Sequence, residues 1–254
     1  MSGIVGIVHL DGASVDEDAL RHMARAASHR GPDGVTYWTG GNAGLGHLSL
    51  ALTPESTRET QPLVNGDLVL VVDGRIDNRD DLRPELARLL RTDEPTDAEL
   101  FLAAYQRWGD DCAEHIVGDF AFAVWDARKR RLFAARDAFA MRPFYYRIEP
   151  RRILFASEIK QILAAPDVPV GIFEPAIGAH LAVSALPGHT VYQGIEQIPP
   201  AHALVADQLG RRLWRYWEID PEHRIEYADS DQYVEHFLSI FEQAVRSRLR
   251  STKP

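Results

Sequence analysis

The sequence predicts an α+β fold in which two β-sheets pack face to face and helices cover their outer sides. Three observations carry that expectation. Segments such as Ile4-Val5-Gly6-Ile7-Val8 and Phe120 to Trp125 are apolar on both faces, as strands covered on both sides must be. The elements run strand, helix, strands, helices and then several strands, which is not the regular alternation of a doubly wound parallel sheet. The chain has 254 residues, 45% hydrophobic and 26% charged, room for one large domain or one and a half ordinary ones of globular composition.

In chain order, the strand Ile4 to Val8 turns at Asp11-Gly12, and Asp16 opens a helix with Leu20, Met23, Ala24 and Ala27 on one face. His29-Arg30-Gly31-Pro32-Asp33-Gly34 is a loop with special backbone angles. Val35 to Trp38 and Ala43 to His47 form a hairpin around Gly40-Gly41-Asn42. Residues 52–62 are a polar loop, and Asp67 to Val72 is a strand that runs into Asp73-Gly74-Arg75-Ile76-Asp77-Asn78. Asn78 is expected to cap a helix carrying Leu82, Leu86, Leu89 and Leu90. Thr96-Asp97-Ala98-Glu99 has the spacing of a capping box and opens a helix with Leu100, Ala103, Ala104 and Trp108. Two hairpins follow, Phe120–Trp125 with Arg131–Ala135 and Phe144–Tyr146 with Ile153–Ala156, then a short helix from Ser157 to Ala164. Residues 166–229 show weak periodicity. Asp231 to Leu249 is an amphipathic helix whose stripe of Val234, Phe237, Leu238, Phe241 and Val245 needs something to lie against.

Composition excludes several functions. A net charge of −9 leaves no basic footprint for nucleic acid, and Arg128-Lys129-Arg130-Arg131 reads as a solvated hairpin tip. No apolar run approaches the roughly 20 residues that span a bilayer. Residues 1–10 lack the basic start of a signal peptide. Cys112 is the sole cysteine, which rules out an internal disulfide framework, fits a cytoplasmic setting and is expected to be an inert thiol. The ten histidines lack the spacing of a metal pair, so no metal site and no cofactor are expected in this chain.

The chemistry begins at Met1-Ser2-Gly3. Removal of Met1 would leave Ser2 as a free N-terminus at the start of a buried strand. An N-terminal nucleophile is built this way, with the side chain attacking and the chain's own α-amine as base.

Ordered blocks along the chain resemble the class II glutamine amidotransferase domain at the front of asparagine synthetases. They include Ser2-Gly3-Ile4-Val5-Gly6, His29-Arg30-Gly31-Pro32-Asp33-Gly34, Leu45-Gly46-His47 and Gly118-Asp119-Phe120-Ala121-Phe122-Ala123-Val124-Trp125-Asp126. Ala135-Arg136-Asp137, Arg142-Pro143-Phe144-Tyr145-Tyr146 and Phe155-Ala156-Ser157-Glu158-Ile159-Lys160 continue the likeness, and Pro199-Pro200-Ala201-His202 and Arg215-Tyr216-Trp217 resemble the lead-in to a second domain. The resemblance implies a four-layer α-β-β-α sandwich of the N-terminal-nucleophile (Ntn) hydrolase type. It also implies a partner domain, C-terminal to this one, that adenylates a carboxylate with ATP and Mg. The expected division is an amidotransferase-like domain at 1–205, a linker at 206–229, and the start of a truncated synthetase domain at 230–254.

Against that family, four parts of a glutamine site are changed. Ser2 stands at the nucleophile position where the family has cysteine. The oxyanion and substrate motif Asn-Gly-Glu is matched by Asp73-Gly74-Arg75, so an ionised carboxylate replaces a donor and a cation replaces the group that binds the substrate ammonium. Ser49 stands where the carboxylate-clamping arginine belongs. Asp97 keeps the family aspartate, although its place at a helix start is also explained by capping and the helix dipole. The expectation is a degenerate, inactive glutaminase-like domain of an ATP-dependent amide ligase. The blocks Thr53-Pro54-Glu55-Ser56, Gln61-Pro62-Leu63 and the stretch from Asp73 to Leu82 look most like lasso-peptide cyclases, which implies a precursor peptide as a further partner. Two alternatives stand beside it. One is a glutamine-hydrolysing asparagine synthetase fragment. The other is an N-terminal serine amidohydrolase in which Gly74 supplies the oxyanion donor and Arg30 and Arg75 bind an anionic substrate. A homo-oligomer is a further possibility.

Overall fold

The computed structural model describes residues 1–184 and 186–251. The chain opens with β1 (Gly3–His9), α1 (Glu17–Arg25), β2 (Gly34–Gly40), β3 (Ala43–Ser49), β4 (Leu63–Asn65) and β5 (Leu68–Ile76). Two helices, α2 (Arg79–Leu86) and α3 (Asp97–Trp108), precede β6 (Gly118–Asp126), β7 (Arg131–Arg136), β8 (Tyr145–Ile148) and β9 (Arg152–Ala156). The rest comprises α4 (Ile159–Leu163), α5 (Glu174–Leu181), β10 (Glu196–Gln197), β11 (His202–Asp207), β12 (Gly210–Arg215) and α6 (Ser230–Arg248).

The strands form two six-stranded antiparallel sheets, in the orders β10-β8-β9-β1-β3-β2 and β12-β11-β7-β6-β5-β4. Alternation along each strand decides which face a residue serves. Ile4 and Val8 of β1, Ala43 and Leu45 of β3, and Val69 and Val71 of β5 meet in one core between the sheets. Val5 and Ile7 point the other way, into a layer with Leu20 and Met23 of α1 and Ile162 of α4. Leu70, Val72 and Ile76 of β5 pack with α2 and α3 through Leu82, Leu86, Phe101 and Ala104. The result is the four-layer α-β-β-α sandwich expected from the sequence. The first strand leaves no room for a side chain at Gly6, where a Cβ would sit 2.2 Å from the Phe155 ring.

Local signals account for most element boundaries. Asp16 caps α1 by accepting from the Asp18 amide. Thr96 and Glu99 form the expected capping box on α3. Asn78 does not cap α2 with its side chain, which instead donates to the His115 carbonyl and accepts from the Val117 amide. α2 ends at Leu86, short of Leu89 and Leu90. The stretch 166–229 is more ordered than its weak periodicity suggests, because β11 and β12 extend the second sheet from the edge of β7. The boundary expected at 205 therefore falls inside β11, and the sheet runs on to Arg215.

The predicted terminal helix is present as α6, capped by Asp229. Its stripe of Val234, Phe237, Leu238, Phe241 and Val245 is exposed, each at 40% or more. None of the helices among the described residues is long and apolar enough to cross a membrane.

Candidate functional site

The register of the strands gathers the candidate residues at one end of the space between the sheets. Ser2 continues the inter-sheet face of Ile4 and Val8, His47 and Ser49 continue that of Ala43 and Leu45, and Asp73 continues that of Val69 and Val71. Together with Met1, Gly74, Arg75, Asp97 and Arg142 they line a cavity of about 220 Å³. Of the seven residues singled out from the sequence, six line it; Arg30 does not.

Ser2 is turned toward the backbone of Leu50. Its Oγ accepts from the Leu50 amide at 3.1 Å and donates to the Leu50 carbonyl at 3.4 Å. The α-amine belongs to Met1 in this chain, and burial lowers its pKa, helped by the charges of Arg142 and Arg30 and opposed by that of Asp73. With Met1 in place the Ser2 nitrogen is a peptide nitrogen and cannot act as a base.

The Gly74 amide lies on the edge of β5 that faces the cavity. Residues of one parity on a strand direct N–H and C=O to the same edge. On β5 the Val72 amide donates to Gln61 Oε1 at 2.7 Å and the Ile76 amide to Asp97 Oδ2 at 3.1 Å. Gly74 lies between them with the same parity, beyond the end of β4, so its amide faces the cavity between Gln61 and Asp97. A side chain is excluded there, since a Cβ would come within 2.8 Å of Phe120 Cβ and 2.9 Å of the Asp119 carbonyl.

Asp73 is 2% exposed and lies between two guanidiniums, 3.7 Å from Arg30 and 3.8 Å from Arg142. Ion pairs ordinarily hold a carboxyl low, yet this one is raised to about 6. Burial outweighs the opposing charges of Arg142, Arg30 and the N-terminus, because neither guanidinium is at hydrogen-bond distance and Oδ2 is buried without a donor. His47 is pushed down to about 4 by burial alone and is therefore neutral at pH 7. The cavity wall thus carries a carboxyl that is largely ionised at neutral pH, beside the Gly74 amide.

That carboxyl has a measurable consequence. Unfolded, Asp73 ionises near 3.8, whereas in the fold it keeps its proton to about 6. Between those values the native state holds more protons, so stability falls as pH rises through the window. Asp73→Asn is expected to flatten that slope and to raise stability at pH 7.5 by up to about 3 kcal/mol. Urea denaturation of both proteins from pH 4 to pH 8 measures it. A parent with no slope between pH 4 and 6 contradicts it.

Arg30 and Arg75, expected as anion-binding groups, are bonded within the protein. Arg30 donates to the Ser2 carbonyl at 3.0 Å and to Glu158 at 2.5 Å, so it braces β1 against α4. Burial would raise Glu158, but hydrogen bonds from Lys160 and Arg30 and the charges of Arg30 and His29 hold it at about 2. Arg75 donates to Asp77 at 3.0 Å and to the Ser247 carbonyl at the end of α6. Asp97 is not the cap of α3, a role Thr96 fills. It accepts from the Ile76 amide and pairs with Arg79 and with Arg250. Ser49 lines the cavity and supplies no cation there.

Several residues in or beside the cavity are not singled out by the sequence as site residues. Arg142 stood inside a noted block, and its placement depends on Asp137, which accepts from its amide at 3.1 Å. Gln61 pairs with both backbone groups of Val72, and Glu59 bridges Gln61 to the Ala98 amide. Arg248 and Arg250 reach the cavity from the end of α6. Among the described residues no cluster of His, Cys, Asp or Glu could hold a metal ion. Cys112 is buried and its thiol is pushed above its ordinary range by desolvation.

Comparison with known proteins shows the family and the fold. The family described as "Glutamine amidotransferase domain" matches residues 1–217. Asparagine synthetase [glutamine-hydrolyzing] 3 of Bacillus subtilis is 37% identical over 262 residues, which cover 100% of this chain and 42% of that protein. A putative asparagine synthetase [glutamine-hydrolyzing] 2 of Methanocaldococcus jannaschii is 30% identical, covering 100% of this chain and 53% of that one. The chain thus spans about half the length, or less, of these relatives. Among solved structures, the glutamine phosphoribosylpyrophosphate amidotransferase of B. subtilis superposes with a TM-score of 0.61 at 16% identity, over 85% of this chain and 50% of that one. That likeness concerns the fold.

Proposed function

We propose, because the chain belongs to the glutamine amidotransferase domain family, that it is a retired glutaminase: the amidotransferase-like domain of a larger ATP-dependent amide ligase, serving structure rather than ammonia production. The observation that carries this reading is Asp73, a buried carboxyl facing the cavity at the position that the resemblance assigns to the oxyanion donor. Ionised, it repels the charge a tetrahedral intermediate develops. Loss of one such donor lowers turnover on the order of 10²–10³-fold, and a repulsive group lowers it further. The other positions act in the same direction. Ser2 is a weaker nucleophile than a thiol, Ser49 cannot clamp a carboxylate, and Arg75 is a cation where the substrate ammonium would sit.

A ligase that needs no ammonia takes its amine from its own substrate. The stretch from Asp73 to Leu82 resembles lasso-peptide cyclases, in which the amine of a precursor peptide attacks an adenylated side-chain carboxylate. ATP and Mg would be held by the synthetase domain of the longer protein, and 230–251 would begin that domain.

The test uses the protein that carries this domain, supplied with ATP, Mg and a candidate precursor peptide. Pyrophosphate release with loss of one water from the peptide, unchanged by added glutamine, is expected. Stimulation of amide formation by glutamine contradicts the reading.

A further inference from the structure

The polar end of α6 and its apolar stripe behave differently. The stripe is exposed, while the residues that follow it enter the cavity. Arg250 donates to the Ile76 carbonyl at 3.0 Å and lies 3.5 Å from Asp97 and 3.4 Å from Glu55. Arg248 pairs with Asp77 at 2.9 Å and forks onto both oxygens of Asp119. Arg75 closes the set by donating to the Ser247 carbonyl. Side-chain exposure follows the same division: 23% for Arg250 at the cavity wall against 81% for Arg246 one turn earlier.

We propose that the cavity is a receptor for the chain's own arginines. In this arrangement Arg250 fills a cation position at the cavity edge, made by Asp97 of the cavity wall with Glu55 and the Ile76 carbonyl beside it, and Arg248 fills a second one outside the wall, made by Asp77 and Asp119. Docking of α6 and occupancy of the cavity by a guanidinium or primary ammonium then form one equilibrium. The inference rests on the reading that the cavity no longer serves glutamine.

The acceptors fit a cation better than any other ligand. Asp97 of the cavity wall and Glu55 from the adjoining cleft supply carboxylates, and the Ile76 carbonyl lies on the edge of β5 beyond the end of β4. Glu55 is lowered despite its burial, by its own backbone hydrogen bond and the charges of Arg250 and Arg79. Asp119 is likewise lowered against burial, chiefly by its hydrogen bond from Arg248. Because the arginines are tethered, a free cation must compete with a high effective concentration. Coupling between the two occupants is reciprocal, so a cation that enters must also loosen α6.

The test compares the parent chain with Arg248→Ala/Arg250→Ala by amide hydrogen exchange. Exchange over 230–251 is expected to rise at least tenfold in the double variant, with β1 and β9, which α6 does not touch through these arginines, unchanged as the control for folding. Propylguanidinium, titrated by calorimetry, is expected to bind Arg250→Ala at least tenfold more tightly than the parent, and Asp97→Asn added to that variant is expected to abolish the gain. Exchange within twofold of the parent, or equal binding to parent and Arg250→Ala, overturns the inference. Ammonia release from glutamine on the same samples reads the retired-site proposal separately, since a tethered α6 can exist with or without turnover.

Discussion

Replacing Asp137 by alanine is expected to destabilise the domain by about 4 kcal/mol, the largest effect of any single polar substitution near the site. Asp137 is 1% exposed, and its carboxylate accepts from four backbone amides, those of Phe120, Phe139, Met141 and Arg142. Its own amide donates to the Phe120 carbonyl, so it ties β6 to the turn that carries Arg142. Alanine leaves those donors without their acceptor, and a buried unsatisfied group costs roughly 1–3 kcal/mol. Asparagine keeps one carbonyl acceptor and is expected to lose about half as much. Urea denaturation measures both, and an alanine variant within 1 kcal/mol of the parent contradicts the assignment.

The second large effect is a gain. The four-fold variant Ser2→Cys, Ser49→Arg, Asp73→Asn and Arg75→Glu, with the initiator methionine removed, is expected to release ammonia from glutamine at least 100-fold faster than Ser2→Cys alone. The size follows from the donor restored at position 73, on the order of 10²–10³ in rate. Arg250 still pairs with Asp97 at the cavity wall in that variant, so Arg250→Ala added to it is expected to lower the KM for glutamine. A gain below twofold, in a variant whose denaturation matches the parent's, means that these four positions do not account for the loss.

Most of the architecture was legible because its determinants are local. The double-sided apolar run of β1, the Asp16 cap and the Thr96 capping box each place an element without reference to distant residues. The hairpin of β11 and β12 was not legible, because β12 reads Gly-Arg-Arg-Leu-Trp-Arg and shows mostly solvent-facing side chains on a sheet edge. Asn78 stands at the N-cap position of α2 as its residue type suggests, but its side chain serves a neighbouring loop at His115 and Val117 instead of the helix. At the site, the identity of Ser2, Ser49, Asp73 and Arg75 could be read from motif position. The engagement of Arg30 and Arg75 could not, since it depends on Glu158 and Ser247, far away in sequence. Arg248 and Arg250 read as ordinary basic residues at a helix end, a placement the helix dipole already favours.

The central claim is that this cavity no longer turns over glutamine. The direct measurement is ammonia release from glutamine by the chain with Ser2 as its verified N-terminus, set beside Ser2→Ala under the same conditions. The account predicts that the two are indistinguishable from each other and from buffer. Release that depends on Ser2 would contradict it and would make this domain a working serine amidohydrolase.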